Sequence, residues 1–276
     1  MVALATYDWI AINSSGGKDS LAMMDVLAEQ ARREGVSDRV VVFYADLKRA
    51  VSPDSYETAE AQARFFGFRF ESISRPQGDL LDQVEQRGMW PSPTNRWCTS
   101  DHKRDQGQKL LTVLTKERTP KDGKVRILYC FGFRRKESSS RAKKKTFSYN
   151  QRASTATTRD VWDYCPILDW SEDQVWERIN KSGAPVAESY AQGLSRHSCT
   201  LCIFRSKWEL VLGAILYPDL AAEYCRLERV TGHKFRQDIS MREVVELAQE
   251  TSVEDVRARI RKSSTQEACQ LALFEV

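Results

Sequence analysis

Trp9-Ile10-Ala11-Ile12-Asn13-Ser14-Ser15-Gly16-Gly17-Lys18-Asp19-Ser20 decides the fold, because an apolar run breaks into serine and glycine and then into helical spacing. Leu21, Met24, Val26 and Leu27, with Ala22, Ala28 and Ala31, carry the helical period. The opening unit is strand, tight loop, helix. Val40-Val41-Val42-Phe43-Tyr44-Ala45 is the unbroken apolar run of a buried parallel strand, and it ends at Asp46 to close a β-α-β unit. Working outward, Asp54 to Phe66 is helical in spacing and Phe68 to Ile73 alternates like a strand. Arg126-Ile127-Leu128-Tyr129-Cys130-Phe131 is another buried strand, stopping at Gly132. Such alternation predicts an α/β fold with a parallel sheet flanked by helices. After Pro166 the pattern turns helical: Ser171-Glu172-Asp173 caps a helix carrying Val175, Trp176 and Ile179, and Gly183, Gly193 and Gly232 separate the stretches that follow. The expected division is an α/β domain over 1–165 and a mostly helical C-terminal lobe over 166–276.

The 276 residues, 41% hydrophobic and 29% charged, suit a globular chain with one catalytic domain and an appendage. No apolar run approaches the ~20 residues of a membrane span. Met1 to Trp9 lacks the basic-then-apolar order of a signal peptide, so the expected location is the cytoplasm, with no membrane partner. Seven cysteines, irregularly spread over Cys98, Cys130, Cys165, Cys199, Cys202, Cys225 and Cys269, do not form a disulfide framework. A net charge of +4 excludes nothing, yet its positive part concentrates between Arg134 and Arg152. That serine-rich basic stretch, Arg134 to Ser148, is expected to be a mobile loop.

The Ser14 to Ser20 segment lies where open α/β sheets bind ligands, beyond the carboxyl end of a strand. Gly16 and Gly17 let backbone amides approach an anion without an intervening Cβ. The helix starting near Asp19 offers free N–H groups and the positive end of its dipole. Ser15 and Ser20 add hydroxyl donors and Lys18 adds charge. Ser20 and Asp19 are expected at an exposed helix start. The loop is too short for a Walker A element, and a glycine-rich turn with a serine cap remains the plain alternative.

Ser15-Gly16-Gly17-Lys18-Asp19-Ser20 after a first strand resembles the PP-loop of ATP pyrophosphatases and of the phosphoadenosine phosphosulfate (PAPS) reductase superfamily. Gly132-Phe133-Arg134-Arg135-Lys136-Glu137-Ser138 with Arg141 is similar to the arginine motif that superfamily carries after a sheet strand. Pro166-Ile167-Leu168-Asp169-Trp170, leading to Asp173-Gln174-Val175-Trp176, resembles its proline-tryptophan segment. Arg96-Trp97-Cys98-Thr99 with Lys103, and Tyr190, Gly193, Arg196, Cys199 and Cys202, resemble its cysteine-bearing elements. The resemblance implies an adenine nucleotide alpha-hydrolase-like fold. It also implies ATP with Mg2+, phosphates on Ser15 to Ser20, adenosine along Tyr44 to Asp46, and closure by Gly132, Arg134, Arg135 and Arg141, with Lys18, Asp19 and Lys103 near the chemistry. Asp46 as a strand-end cap and the arginines as a solvated loop are the alternatives.

Cys199-Thr200-Leu201-Cys202 places two thiols on one side of a tight turn, where they can share a metal or oxidise. With Cys98 as third ligand, the set resembles the [4Fe–4S] arrangement of iron-sulfur members of the superfamily; Zn2+ and plain core or redox thiols are the alternatives. Related adenosine phosphosulfate reductases carry a Cys-Cys pair, of which Trp97 here replaces the first, leaving Cys225 as candidate fourth ligand or buried helix thiol. Cys130 and Cys165 are expected to pack. His102, next to Lys103, is expected at the surface, with contact to substrate as the alternative; His197 is expected within the turn, and Trp162, Trp170, Trp176 and Trp208 in packing roles.

Three readings of function follow. One is ATP cleavage that adenylates an acceptor before sulfur transfer, as in tRNA thiolation and DNA phosphorothioation enzymes, to which the chain is closest in look. It brings a nucleic-acid acceptor and a cysteine desulfurase or other sulfur donor as partners. Another is reduction of a nucleotide-bound sulfate, as in PAPS reductases, whose Glu-Cys-Gly tail the Glu267-Ala268-Cys269-Gln270 segment does not match. The last is a nucleotide- or nucleic-acid-binding module without turnover, drawing on Arg134, Arg135, Lys136, Arg141, Lys143, Lys144, Lys145 and Arg152.

Overall fold

A computed structural model describes residues 2–119 and 123–262; Cys269 lies outside the described residues. The strands are β1 (Trp9–Ser14), β2 (Val40–Asp46), β3 (Arg69–Ser74), β4 (Val125–Phe131), β5 (Phe147–Tyr149) and β6 (Arg159–Tyr164). They form one sheet in the order β3-β2-β1-β4-β6-β5, parallel except for the antiparallel β5–β6 pair. In register, Ile12 of the central β1 faces Val42 on one side and Cys130 on the other.

The two-residue period of β1 divides its side chains between two cores. Ile10 and Ile12 join Val40, Val42, Leu128 and Cys130 beneath α1 (Lys18–Glu34) and α7 (Glu172–Ser182), which contribute Leu21, Met24, Leu27, Val175 and Ile179. Trp9 and Ala11 face the other way, with Val41, Phe43, Ile127, Tyr129 and Val161, against Leu110, Leu111 and Leu114 of α5 (Asp105–Glu117). Helices on both faces explain why the central strands read as continuous apolar runs.

The helices end where their residues require. Gly35 and Gly183 take left-handed conformations at the C-caps of α1 and α7, with φ of +67° at each. Ser171 and Gln174 form a reciprocal capping box at the start of α7. The remaining helices are α2 (Ser55–Phe65), α3 (Leu80–Arg87), the turn α4 (Trp97–Thr99), α6 (Ser139–Ala142), α8 (Glu188–Ala191), α9 (Lys207–Leu216), α10 (Pro218–Thr231) and α11 (Met241–Glu250).

The chain divides into two compact units. The first, Met1–Asp46, Pro53–Arg75 and Ser100–Glu188, holds the sheet. The second comprises Leu47–Ser52, Pro76–Thr99 and the chain from Ser189 onward. Residues 166–188 thus lie with the sheet, and segments before 100 lie with the helical unit; the expected cut at 165/166 follows the change in pattern and not the contacts.

The second unit is tied by charge and by rings. Arg49 bonds Asp79 at 2.5 Å and 3.0 Å, Asp82 at 2.5 Å and Glu223 at 3.3 Å. Burial works against ionising Asp79, yet Arg49 and the amides it caps prevail and hold its pKa below the usual value. Trp90 stacks on Tyr224 at 4.8 Å and meets Phe235 edge-on at 5.2 Å. The expected mobile loop at 134–148 contains a 3-10 turn (Arg135–Glu137), α6 and the start of β5. Pairing with β6 holds its end at Phe147 and Ser148, and the Ser138 cap of α6 with Arg135 on the Ala142 and Lys144 carbonyls holds the rest.

Candidate functional site

Ser14 ends β1 and its hydroxyl accepts the Gly16 N–H at 3.1 Å, turning the chain directly after the strand. Gly16 sits at φ +75°, a conformation that strains residues with a Cβ. Ser20 Oγ donates to the Gly17 carbonyl at 2.8 Å, binding the loop to the first turn of α1. Gln62 of α2, fully buried, donates through Nε2 to the carbonyls of Gly16 at 2.9 Å and Pro185 at 3.0 Å. Holding the Gly16 carbonyl from the α2 side turns the next amide, that of Gly17, the opposite way, as an anion cradle requires.

The end of β4 closes over the same turn. A Cβ on Gly132 would fall 2.6 Å from the Asp19 carbonyl oxygen and 2.9 Å from the Ser20 nitrogen, so only glycine fits there without a shift. Arg134, 6% exposed, donates through Nε to Asp19 at 2.5 Å and lies 3.4 Å from Glu172. Lys18, 4% exposed, also pairs with Glu172 at 3.4 Å. Burial pulls the Arg134 guanidinium down, but Asp19, Glu137 and Glu172 outweigh it and leave its pKa raised. Ser20 is buried at 7%, which corrects the expected exposed helix start; Gly132 and Arg134 cover that turn.

The structure thus brings together Ser15, Gly16, Gly17, Lys18, Asp19, Ser20, Gly132 and Arg134. Arg135 faces elsewhere: it bonds Asp169 at 2.5 Å and the carbonyls of Ala142 and Lys144 at 2.7 Å and 2.8 Å, bracing the basic loop. Arg141 pairs with Glu137 and lies 4.6 Å over the Phe133 ring. Asp46 is buried at the end of β2. Lys103 and His102 lie on a π-helical turn, Ser100–Arg104, beside β2. His102 is 1% exposed, which corrects the expected surface histidine: the turn faces β2. The residues the sequence reading missed are Gln62 and Glu172. Gln62 had a signal, being polar on a helix face with buried Ala59 and Ala63.

In the second unit, the Cys199–Cys202 turn is built on a buried ion pair. Arg205, 4% exposed, reaches Glu209 at 3.3 Å and donates to the carbonyls of Cys199 at 3.2 Å and Arg196 at 2.9 Å. Glu209 accepts Ser195 Oγ at 2.7 Å and Ser206 N at 3.2 Å. Thr200 N–H donates to the Ala50 carbonyl at 3.0 Å, so the turn is pinned to the 47–52 segment. His197 Nδ1 meets Ser189 Oγ at 3.0 Å and its amide donates to the Tyr190 hydroxyl at 3.3 Å, tying it to α8 where a bond inside the Cys199–Cys202 turn was expected.

Cys98, Cys199 and Cys202 form no disulfide among the described residues and are half-buried. Burial first, then Cys199, Cys202, Asp79 and Cys98, raise the Tyr224 phenol well above its usual pKa. Among the described residues no group of three His, Cys, Asp or Glu side chains is disposed to hold a metal ion, so the donors do not form a ready site for a cluster or zinc. Cys225 is half-buried on α10 and borders a cavity of about 750 Å³ with Glu228, Arg229 and Arg242, and is not fully packed away. Cys130 and Cys165 are packed, at 0% and 2% exposure, and burial raises the Cys165 thiol to about 11.

A glycine-serine turn at the carboxyl edge of a parallel sheet, roofed by the arginine-bearing end of a neighbouring strand, defines an α/β protein of the PP-loop kind. Residues 9–205 match the phosphoadenosine phosphosulfate reductase domain, and the chain belongs to that family. It is 26% identical over 57% of its length to an uncharacterized 37.8 kDa protein of Escherichia phage 186, of which it spans only 45%. It is 22% identical to the adenosine 5'-phosphosulfate reductase of Shouchella clausii, covering 68% of each chain. Among solved structures it is similar to the PAPS reductase of Candida auris, with a TM-score of 0.48, 14% identity, and coverage of 71% of this chain and 84% of that one. Among the described residues no helix is long and apolar enough to cross a membrane.

Proposed function

We propose that the chain is an ATP pyrophosphatase that adenylates an acceptor for sulfur transfer, with nucleic acid as the acceptor, in the manner of DNA phosphorothioation enzymes. The observation that carries this is the braced Ser14–Ser20 cradle, whose glycine amides, buried Lys18 and Arg134 suit a polyphosphate. An acceptor oxygen attacks the α-phosphorus of ATP, the α–β bond breaks, and pyrophosphate leaves with the electron pair on the cradle. A sulfur nucleophile, supplied by a cysteine desulfurase or similar donor, then attacks the acceptor and expels AMP. Mg2+ would neutralise the leaving pyrophosphate. Arg134 stabilises charge on the phosphates, and Gln62 keeps the cradle amides aimed at them.

A [4Fe–4S] cluster on Cys98, Cys199 and Cys202, or zinc in its place, enters this proposal only through the resemblance of those cysteines to the superfamily's ligands, because among the described residues they are not grouped to hold a metal. When bound, it would supply thiolate-held sulfur chemistry; no step above depends on it. A cytoplasmic location is likewise part of the proposal. The family match and the Shouchella clausii relative favour a second reading, reduction of a nucleotide-bound sulfate to sulfite by two electrons from a dithiol that becomes a disulfide.

The test is anaerobic purification, iron and sulfide analysis, and parallel assays of pyrophosphate from ATP and sulfite from phosphosulfate nucleotides. Acceptor-dependent pyrophosphate release supports the first reading; sulfite without pyrophosphate replaces it with the second. Binding without either product leaves a nucleotide-binding module.

A further inference from the structure

The outer edge of β5 is paired with no other strand among the described residues, and it carries two of the more exposed large rings, Phe147 at 40% and Tyr149 at 50%. Edge strands usually carry charge or proline instead. We propose that this edge is a stacking platform for a single-stranded polynucleotide, with Phe147 and Tyr149 bearing bases and Lys143, Lys144 and Lys145 contacting phosphates. The inference rests on the reading of the acceptor as nucleic acid and narrows it to an unpaired strand.

Phe147 and Tyr149 are two residues apart and so share a face of the strand. They are held from beneath: Tyr164 meets Phe147 edge-on at 6.5 Å, Trp162 meets Tyr149 at 5.6 Å, and the Tyr149 hydroxyl donates to Asp160 at 2.8 Å. Rings already fixed lose little freedom when a base stacks on them. Residues 142–147 are all exposed, so the three lysines run directly into the first ring, and exposed Arg152 follows the second. The nearby carboxylates are engaged, Asp160 by Lys124 at 3.2 Å and Asp163 by Asn150 at 2.7 Å. Aromatic rings interleaved with cations recur in single-strand binding.

Spacing decides between one strand and two. Residues i and i+2 of a strand lie about 6.7 Å apart, whereas stacked bases in a duplex are about 3.4 Å apart. Successive duplex bases cannot each occupy a ring, but an extended strand with splayed bases can. A second copy of the chain is disfavoured by charge, because antiparallel pairing centred on Ser148 would set Lys144 opposite Arg152.

Fluorescence anisotropy with an oligothymidylate and with a matched duplex, across a salt series, tests this. Phe147→Ala and Tyr149→Ala should each weaken single-strand binding by roughly tenfold, with the salt slope unchanged and duplex binding little affected. Phe147→Tyr and Tyr149→Trp, which keep a ring, should retain the affinity and guard against misfolding. Equal losses for duplex and single strand, or none for either, would overturn the platform while leaving a nucleic-acid acceptor in place. Failure of the unaltered protein to bind any polynucleotide would overturn both. A dimer in sedimentation that the alanine variants dissolve would assign the edge to a second copy.

Discussion

Arg134 shows how one side chain can tie recognition to stability. Its guanidinium is buried against Asp19 and Glu172, and Lys18 shares Glu172, so both charges in the first turn of α1 are paired. Arg134→Gln would leave Asp19 without its cation; because Asp19 keeps 21% exposure, the cost should be about 2–3 kcal/mol, below the full range for a buried pair. Urea unfolding would read that loss, and the KM for ATP should rise several-fold with nucleic acid absent. Glu209 offers a pH test. Burial opposes its charge, but Ser195, Arg205 and Ser206 hold its pKa below the usual value. A lowered folded pKa means stability present above the unfolded value near ~4.3 and lost as pH falls through the folded one. Thermal melts from neutral pH downward should therefore show a loss that Glu209→Gln removes, at the expense of a lower neutral-pH midpoint. The resemblance marked Arg134, Arg135 and Arg141 together, and of these Arg134 reaches the turn while Arg135 bonds Asp169 and Arg141 pairs with Glu137. Glu172 was not legible, because one carboxylate serving Lys18 and Arg134 at sequence separations of 154 and 38 residues leaves no local pattern.

Among the elements, β1, the loop and α1 were legible because each is written in adjacent residues: an apolar run, two glycines, then a helical period. The edge was harder. β6 reads Arg-Asp-Val-Trp-Asp-Tyr, too polar for a buried strand, and β5 exists through its pairing with β6, so the basic stretch looked like a loop. That stretch separates into two parts. Arg134 faces the Ser15–Ser20 turn and Arg135 braces the loop through the Ala142 and Lys144 carbonyls, whereas Lys143, Lys144 and Lys145 are exposed. Replacing the three lysines together by Ala should lower the salt slope of nucleic-acid binding by about two to three units and leave ATP affinity unchanged. An unaltered slope would return the lysines to the role of a solvated surface.

Across the whole molecule, the chain passes between its two units at 46/47, 52/53, 75/76, 99/100 and 188/189. The residue pattern turns helical after Pro166, so a sequence reading places its boundary there, and no local signal marks the interleaving. The contacts that produce it are non-local: the Thr200 amide bonds the Ala50 carbonyl, Arg49 gathers Asp79, Asp82 and Glu223, and Trp90 stacks on Tyr224. A fragment comprising 166–276 would keep Tyr224 and the Cys199–Cys202 turn while losing Arg49, Ala50, Asp79 and Trp90. It would also strand α7, whose Val175 and Ile179 belong to the core under α1. Such a fragment should give no cooperative thermal transition by circular dichroism, and its cysteines should react with a thiol reagent at the rate of unfolded chain. The full chain should melt cooperatively with slower labelling of Cys199. A cooperative melt of the isolated fragment would mean that its helices suffice without the 47–52 and 76–99 segments, and the change in pattern after Pro166 would then mark the true folding boundary.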